Sequence, residues 1–116
     1  MIFEKNKVQG FTVVKVEGQV RLSTQTEFKD YLDGLFTDHG SSTIILDMEK
    51  LEYINSAGIG IVVDTFKKFR DHEGRMILSG LAPELLKLFE MTKLNRFIEI
   101  YPNTEEAISK AGQDKL

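Results

Sequence analysis

The strongest constraint on the fold is an alternation along the chain. A short unbroken apolar run is followed by a longer stretch whose apolar residues recur at helical spacing. Thr43-Ile44-Ile45-Leu46, ending at Asp47, is apolar without a break, as a strand covered on both faces must be. Met76-Ile77-Leu78, within Arg75–Ser79, has the same character, and Phe97–Tyr101 reads as a last strand. Between them lie amphipathic helices. Phe28, Leu32, Leu35 and Phe36 fall at i, i+4, i+7 and i+8 on a helix ending at His39-Gly40. Ile59, Val62, Val63, Phe66 and Phe69 form the stripe of a second helix. It starts near Asn55-Ser56, after a loop through Glu52-Tyr53-Ile54, and takes Gly74 as its C-cap. Pro83 suits the first turn of a third helix carrying Leu85, Leu86, Leu88 and Phe89.

The two ends complete the order. Ile2–Val8 and Phe11–Glu17 flank Gln9-Gly10, a two-residue hairpin turn. The second segment is apolar on both faces, as an interior strand is. Thr24 with Glu27, and Asn103 with Glu106, have capping-box spacing ahead of the first helix and of a final one through Ala107 and Ile108. The order is ββαβαβαβα, an α/β fold with a mixed, mostly parallel sheet of about five strands and about four helices. Repeated strand-to-helix units imply right-handed crossovers, and the hairpin adds an antiparallel edge. Residues 1–116 are expected to form one domain.

Composition removes several function classes. The absence of cysteine excludes a disulfide scaffold, a thiolate nucleophile and cysteine metal sites, and fits a reducing cytoplasm. A net charge of −3 leaves no positive field to draw the chain to nucleic acid or anionic lipid. The N-terminus lacks a signal-peptide core, and the longest apolar run, Ala57–Val63, falls far short of the roughly 20 residues that span a bilayer. A soluble, cytoplasmic protein without membrane insertion is expected.

Ile54-Asn55-Ser56-Ala57-Gly58-Ile59-Gly60 stands out. Two capping residues precede two glycines inside a helix, where each glycine costs about 1 kcal/mol relative to alanine. Either small residues let the helix pack closely on the sheet, or a bare first turn leaves the backbone and Ser56 open to a partner or a modification. With Ile59 at the origin and about 100° per residue, Gly58 lies roughly 76° and Gly60 roughly 124° from the centre of the apolar stripe. Gly58 should therefore pack, and Gly60 should face outward.

With Leu46-Asp47-Met48, Leu51 and Tyr53 before it, this stretch resembles the signature of the STAS domain, specifically of bacterial anti-sigma factor antagonists. The resemblance continues through Gly74, Leu85–Phe89, Met91-Thr92, Leu94 and Glu105-Glu106-Ala107. It implies a binding switch rather than an enzyme. Ser56 would accept phosphate from an anti-sigma factor with serine kinase activity, and a serine phosphatase would reset it. Asn55, Ala57, Gly58, Ile59 and Gly60 would lie in the contact surface, with Gly18, Gln19, Val20 and Arg21 as its neighbouring loop. Asn55 and Arg21 stand where the family usually has aspartate. Both remove a carboxylate beside the serine.

No catalytic set, metal site or cofactor is expected. Asp47 lacks the second acidic residue of a Mg²⁺-binding receiver, and neither a P-loop string nor a Gly-x-Ser-x-Gly elbow occurs. His39 and His72 read as exposed helix C-terminal residues, and Lys67, Lys68 and Arg70 as a solvated face. Two other functions stay open: a docking subunit of a transport or signalling complex, and a small nucleotide-binding protein or enzyme.

Overall fold

A computed structural model describes residues 1–113. Strands β1 (Ile2–Val8) and β2 (Phe11–Val20) form an antiparallel hairpin. Gln9 and Gly10 turn it with φ of 51° and 87°, the positive pair that a two-residue turn matched to strand twist requires. There follow α1 (Gln25–His39), β3 (Thr43–Asp47), β4 (Leu51–Ile54), α2 (Ser56–Asp71), β5 (Arg75–Ser79) and α3 (Pro83–Met91). A 3₁₀ turn (Leu94–Arg96), β6 (Glu99–Tyr101) and α4 (Thr104–Gln113) end the described chain.

The sheet runs β1-β2-β3-β5-β6, with every pairing beyond the first hairpin parallel. The α/β expectation and the mostly parallel sheet are met, with one strand more than the alternation indicated. Residues 51–54, expected as loop, pair with the far half of β2: Gly18 opposite Leu51, Gln19 opposite Tyr53, Val20 opposite Ile54. Leu51 and Ile54 are buried while Glu52 and Tyr53 are exposed, so no period of two marks the strand. A register shift between Gly18 and Gln19, with Gly18 at φ 121°, lets β2 pass from β3 to β4 as partner.

The sheet is covered on both faces. On one side Val14, Val16, Ile44, Leu46, Met76 and Leu78 pack under Phe28 and Leu32 of α1, Val62 and Phe69 of α2, and Phe89 of α3. On the other, Phe11, Val13, Ile45 and Ile77 meet Ala107, Ile108 and Ala111 of α4. This two-sided burial is why β3 and β5 read as unbroken apolar runs.

Several local expectations change. Thr24 and Glu27 form no capping box: the Thr24 hydroxyl donates to the Gln19 carbonyl at 2.6 Å and accepts from Arg21 N–H at 3.0 Å. Glu27 instead receives the Met1 ammonium at 2.9 Å. Asn103 does cap α4, its Oδ1 accepting from Glu106 N–H at 2.8 Å. Gly74 is not the left-handed residue after α2. Glu73 takes that conformation at φ 62°, and the Gly74 N–H closes the helix onto the Phe69 carbonyl at 2.7 Å. Glycine is required at 74 because a Cβ there would collide with the Gly40 carbonyl oxygen. The last strand begins at Glu99 rather than Phe97, which is 69% exposed. Glu99 is anchored by Arg75 through a two-pronged ion pair, both bonds 2.6 Å.

Candidate functional site

The C-terminal ends of β2 and β4 and the N-termini of α1 and α2 converge at one place, and Asn55 ties them together. Its N–H donates to the Val20 carbonyl at 2.9 Å, extending the β2–β4 pairing by one bond. Its side-chain Oδ1 accepts from Gly58 N–H at 2.7 Å, capping α2 at the third helical residue. Its Nδ2 donates to Gln25 Oε1 in the first turn of α1 at 3.0 Å. An aspartate could cap α2 equally well but could not donate to Gln25 in this way.

Ser56 is therefore the first residue of α2, and it is exposed. Among the described residues its hydroxyl has no hydrogen-bond partner. The first turn of α2 carries no acidic residue, so no carboxylate of its own answers the positive end of the helix dipole. Ala57 and Gly60 are exposed, Ile59 is half-buried, and a Cβ on Gly60 would meet nothing within 4 Å. Gly58, which the resemblance would place in the contact surface, is instead buried: a Cβ there would sit 2.6 Å from Ile54 Cγ1 and 2.7 Å from Val20 Cγ1. Gly58 thus packs against the sheet and Gly60 faces outward, as the helical angles indicated.

The neighbouring loop divides likewise. Gly18 and Gln19 are half-buried and Arg21 is exposed, its guanidinium without an ion-pair partner among the described residues. Val20, expected in the contact surface, is 0% exposed. As an inward-facing residue of an interior strand, it supports the surface from beneath and cannot touch a partner. Three contributors escaped the sequence reading. Gln25 bonds Asn55 from 30 positions away, a distance no local pattern reports. Leu22, 84% exposed, and Tyr53, 48% exposed, leave apolar surface beside the loop and on β4. Leu22 fits neither the strand before it nor the helical stripe after it, and that was the available signal.

Other polar residues that the sequence singled out have local partners. Asp47 caps its own turn, Oδ1 accepting from Glu49 N–H at 3.1 Å. His72 lies on the Lys68 carbonyl and edge-on to Phe36, while His39 faces Lys5. Lys68 pairs with Asp33 and Arg70 with Asp71, as on a solvated face. Among the described residues, no group of three His, Asp or Glu side chains could hold a metal, and no helix is long and apolar enough to cross a membrane.

An exposed, uncharged helix start beside a supported loop thus lies at one end of an α/β sheet covered by helices on both faces. The STAS domain model matches residues 3–107, and the chain belongs to that family. It is 29% identical over 113 residues to the putative anti-sigma factor antagonist BtrV of Bordetella bronchiseptica, covering 96% of this chain and 94% of that one. It is 32% identical over 85 residues to the anti-sigma-B factor antagonist of Listeria monocytogenes, covering 73% and 74%. The fold superposes on the anti-sigma factor antagonist SpoIIAA in its unphosphorylated form, with TM-score 0.76 at 22% identity over 97% of both chains. The phosphorylated form of SpoIIAA from Bacillus gives TM-score 0.70, again at 22% identity, over 95% of this chain and 99% of that one.

Proposed function

We propose that this chain is an anti-sigma factor antagonist that binds an anti-sigma factor with serine kinase activity, and that phosphate on Ser56 breaks the complex. The carrying observation is the Ser56 hydroxyl: exposed, unbonded and first in α2. Membership of the STAS family and the anti-sigma antagonists among its relatives support the choice of partner. A serine phosphatase would restore the binding form.

The physical argument is one of charge. Of the residues placed around the serine, Arg21 alone is charged. Phosphorylation replaces a neutral hydroxyl with about −1.5 to −2 charges. In the free domain the α2 N-terminus stabilises that charge. In a complex the phosphate would have to be desolvated against the partner. Each 1.4 kcal/mol of such cost lowers affinity about tenfold, so a loss of only a few kcal/mol suffices for a switch. The exposed apolar surface of Leu22 and Tyr53 supplies binding area that phosphorylation leaves unchanged.

Incubation with ATP and the anti-sigma factor kinase from the same genome, followed by intact-mass measurement, tests the reading. One phosphate should be added, and none to the Ser56→Ala variant. A phosphate that persists on that variant, or none added by a kinase active on another substrate, overturns it.

A further inference from the structure

Among the described residues, the hairpin end of the sheet carries a buried hydroxyl without a partner beside two lysines without carboxylate partners. A cavity of about 100 Å³ opens there, lined by Lys5, Asn6, Lys7, Thr12 and His39. Thr12 is 2% exposed, and its hydroxyl oxygen is buried without a hydrogen-bond partner. Folded proteins seldom leave such an atom unmatched. Lys7 stands directly opposite Thr12 across the β1–β2 pair, and Lys5 shares its face two residues earlier. The Lys5 ammonium lies 3.4 Å from His39 Nε2, at the end of α1. Among the described residues, neither lysine has a carboxylate at ion-pair distance. Glu4, adjacent in β1, projects to the opposite face and receives the Asn6 amide at 3.2 Å.

We propose that Lys5, Lys7, Thr12 and His39 form an oxyanion site sized for one phosphate group. A tetrahedral oxyanion has acceptors for the buried hydroxyl and for both ammonium groups at once. A cation would be repelled by the lysines, and a neutral ligand would leave their charge uncompensated. The volume is several times the roughly 10–15 Å³ that a single water needs. The C-terminus of α1 contributes about half a negative charge, which two ammonium groups outweigh. Thr12 and Val20 lie toward opposite ends of β2, so at about 3.3 Å per residue this site is about 25 Å from the Ser56 surface and independent of it.

Amide chemical shifts followed during titration with sodium phosphate, against sodium chloride at matched ionic strength, test the proposal. Saturating shifts confined to β1, the start of β2 and the end of α1 are expected with phosphate alone. Glycerol 1-phosphate in a parallel arm separates the two sources. Equal binding assigns the site to a phosphomonoester, and binding of inorganic phosphate only assigns it to the free ion. Thr12→Val removes the oxygen and keeps the shape, and should weaken binding about tenfold, as should Lys5→Gln with Lys7→Gln, while Thr12→Ser retains it. Shifts that follow chloride, fail to saturate or survive Thr12→Val unchanged overturn the proposal.

Discussion

Gly58→Ala should destabilise the free domain by about 2 kcal/mol, the balance of three terms. The added Cβ would lie 2.6 Å from Ile54 Cγ1, 2.7 Å from Val20 Cγ1 and 3.2 Å from Asn55 Oδ1. Ile54 and Val20 are 2% and 0% exposed, so neither has solvent to move into. Overpacking of this kind costs about 1–3 kcal/mol. Displacing Asn55 also lengthens its 2.7 Å bond to Gly58 N–H, and loss of such a cap costs about 1 kcal/mol. Alanine's better helix propensity returns about 1 kcal/mol. For a chain of this size the net loss corresponds to a fall in Tm of about 8 °C. Gly60→Ala is the internal control. Its Cβ meets nothing within 4 Å, so only the entropic gain of about 0.4–1 kcal/mol remains. Urea unfolding of both variants beside the parent protein should give shifts of opposite sign two residues apart. A Gly58→Ala variant as stable as the parent would refute the packing assignment. A Gly60→Ala variant losing more than about 1 kcal/mol would remove the case for an outward-facing glycine.

Gly60→Ala should nonetheless weaken binding to the anti-sigma factor, which calorimetric titration reads directly. Ser56→Asp should weaken it too, less than phosphate does, since it adds about one charge, while unfolding shows the helix start unharmed or stabilised by about 0.3–1 kcal/mol. Asn55→Ala should cost about 1–2 kcal/mol in denaturant unfolding, because it removes the α2 cap and the bond to Gln25, whereas Asn55→Asp should cost clearly less. The Lys29 ammonium, hydrogen-bonded at 2.6 Å and helped by Lys68, holds the Asp33 carboxyl below its ordinary value. That pairing stabilises the fold above the unfolded carboxylate range and is lost as pH falls through the lowered Asp33 value. A parent protein more stable than Asp33→Asn at neutral pH should therefore lose its advantage in acid, and in high salt, in thermal melts at several pH values.

Much of the fold was legible in sequence because burial writes a periodic pattern. β3 and β5 are covered on both faces and so are apolar throughout, and α1 and α2 show stripes because each buries one side. The hairpin at Gln9-Gly10 and the Asn103 cap were legible for the same local reason: their partners lie within a few residues. At the candidate site, the Asn55 cap and the inward and outward placing of Gly58 and Gly60 follow from helix geometry, which spacing encodes, whereas the role expected of Ser56 rested on the family resemblance.

What only the tertiary structure decided involves partners distant in the chain. β4 is a strand because β2 offers its far half once the register shifts at Gly18, and four residues with two buried ends carry no period to announce it. Thr24 has the sequence of a helix cap, yet its hydroxyl holds the Gln19–Arg21 loop, because those backbone groups come within reach when β2 ends. Val20 could be placed beneath the surface, and Leu22 and Tyr53 on it, only after the sheet and helices had packed. Asn55 and Gln25 meet across 30 positions because two helices begin at the same end of one sheet. Periodicity reports which side of an element is buried. It does not report which other element the exposed ends of that element will meet.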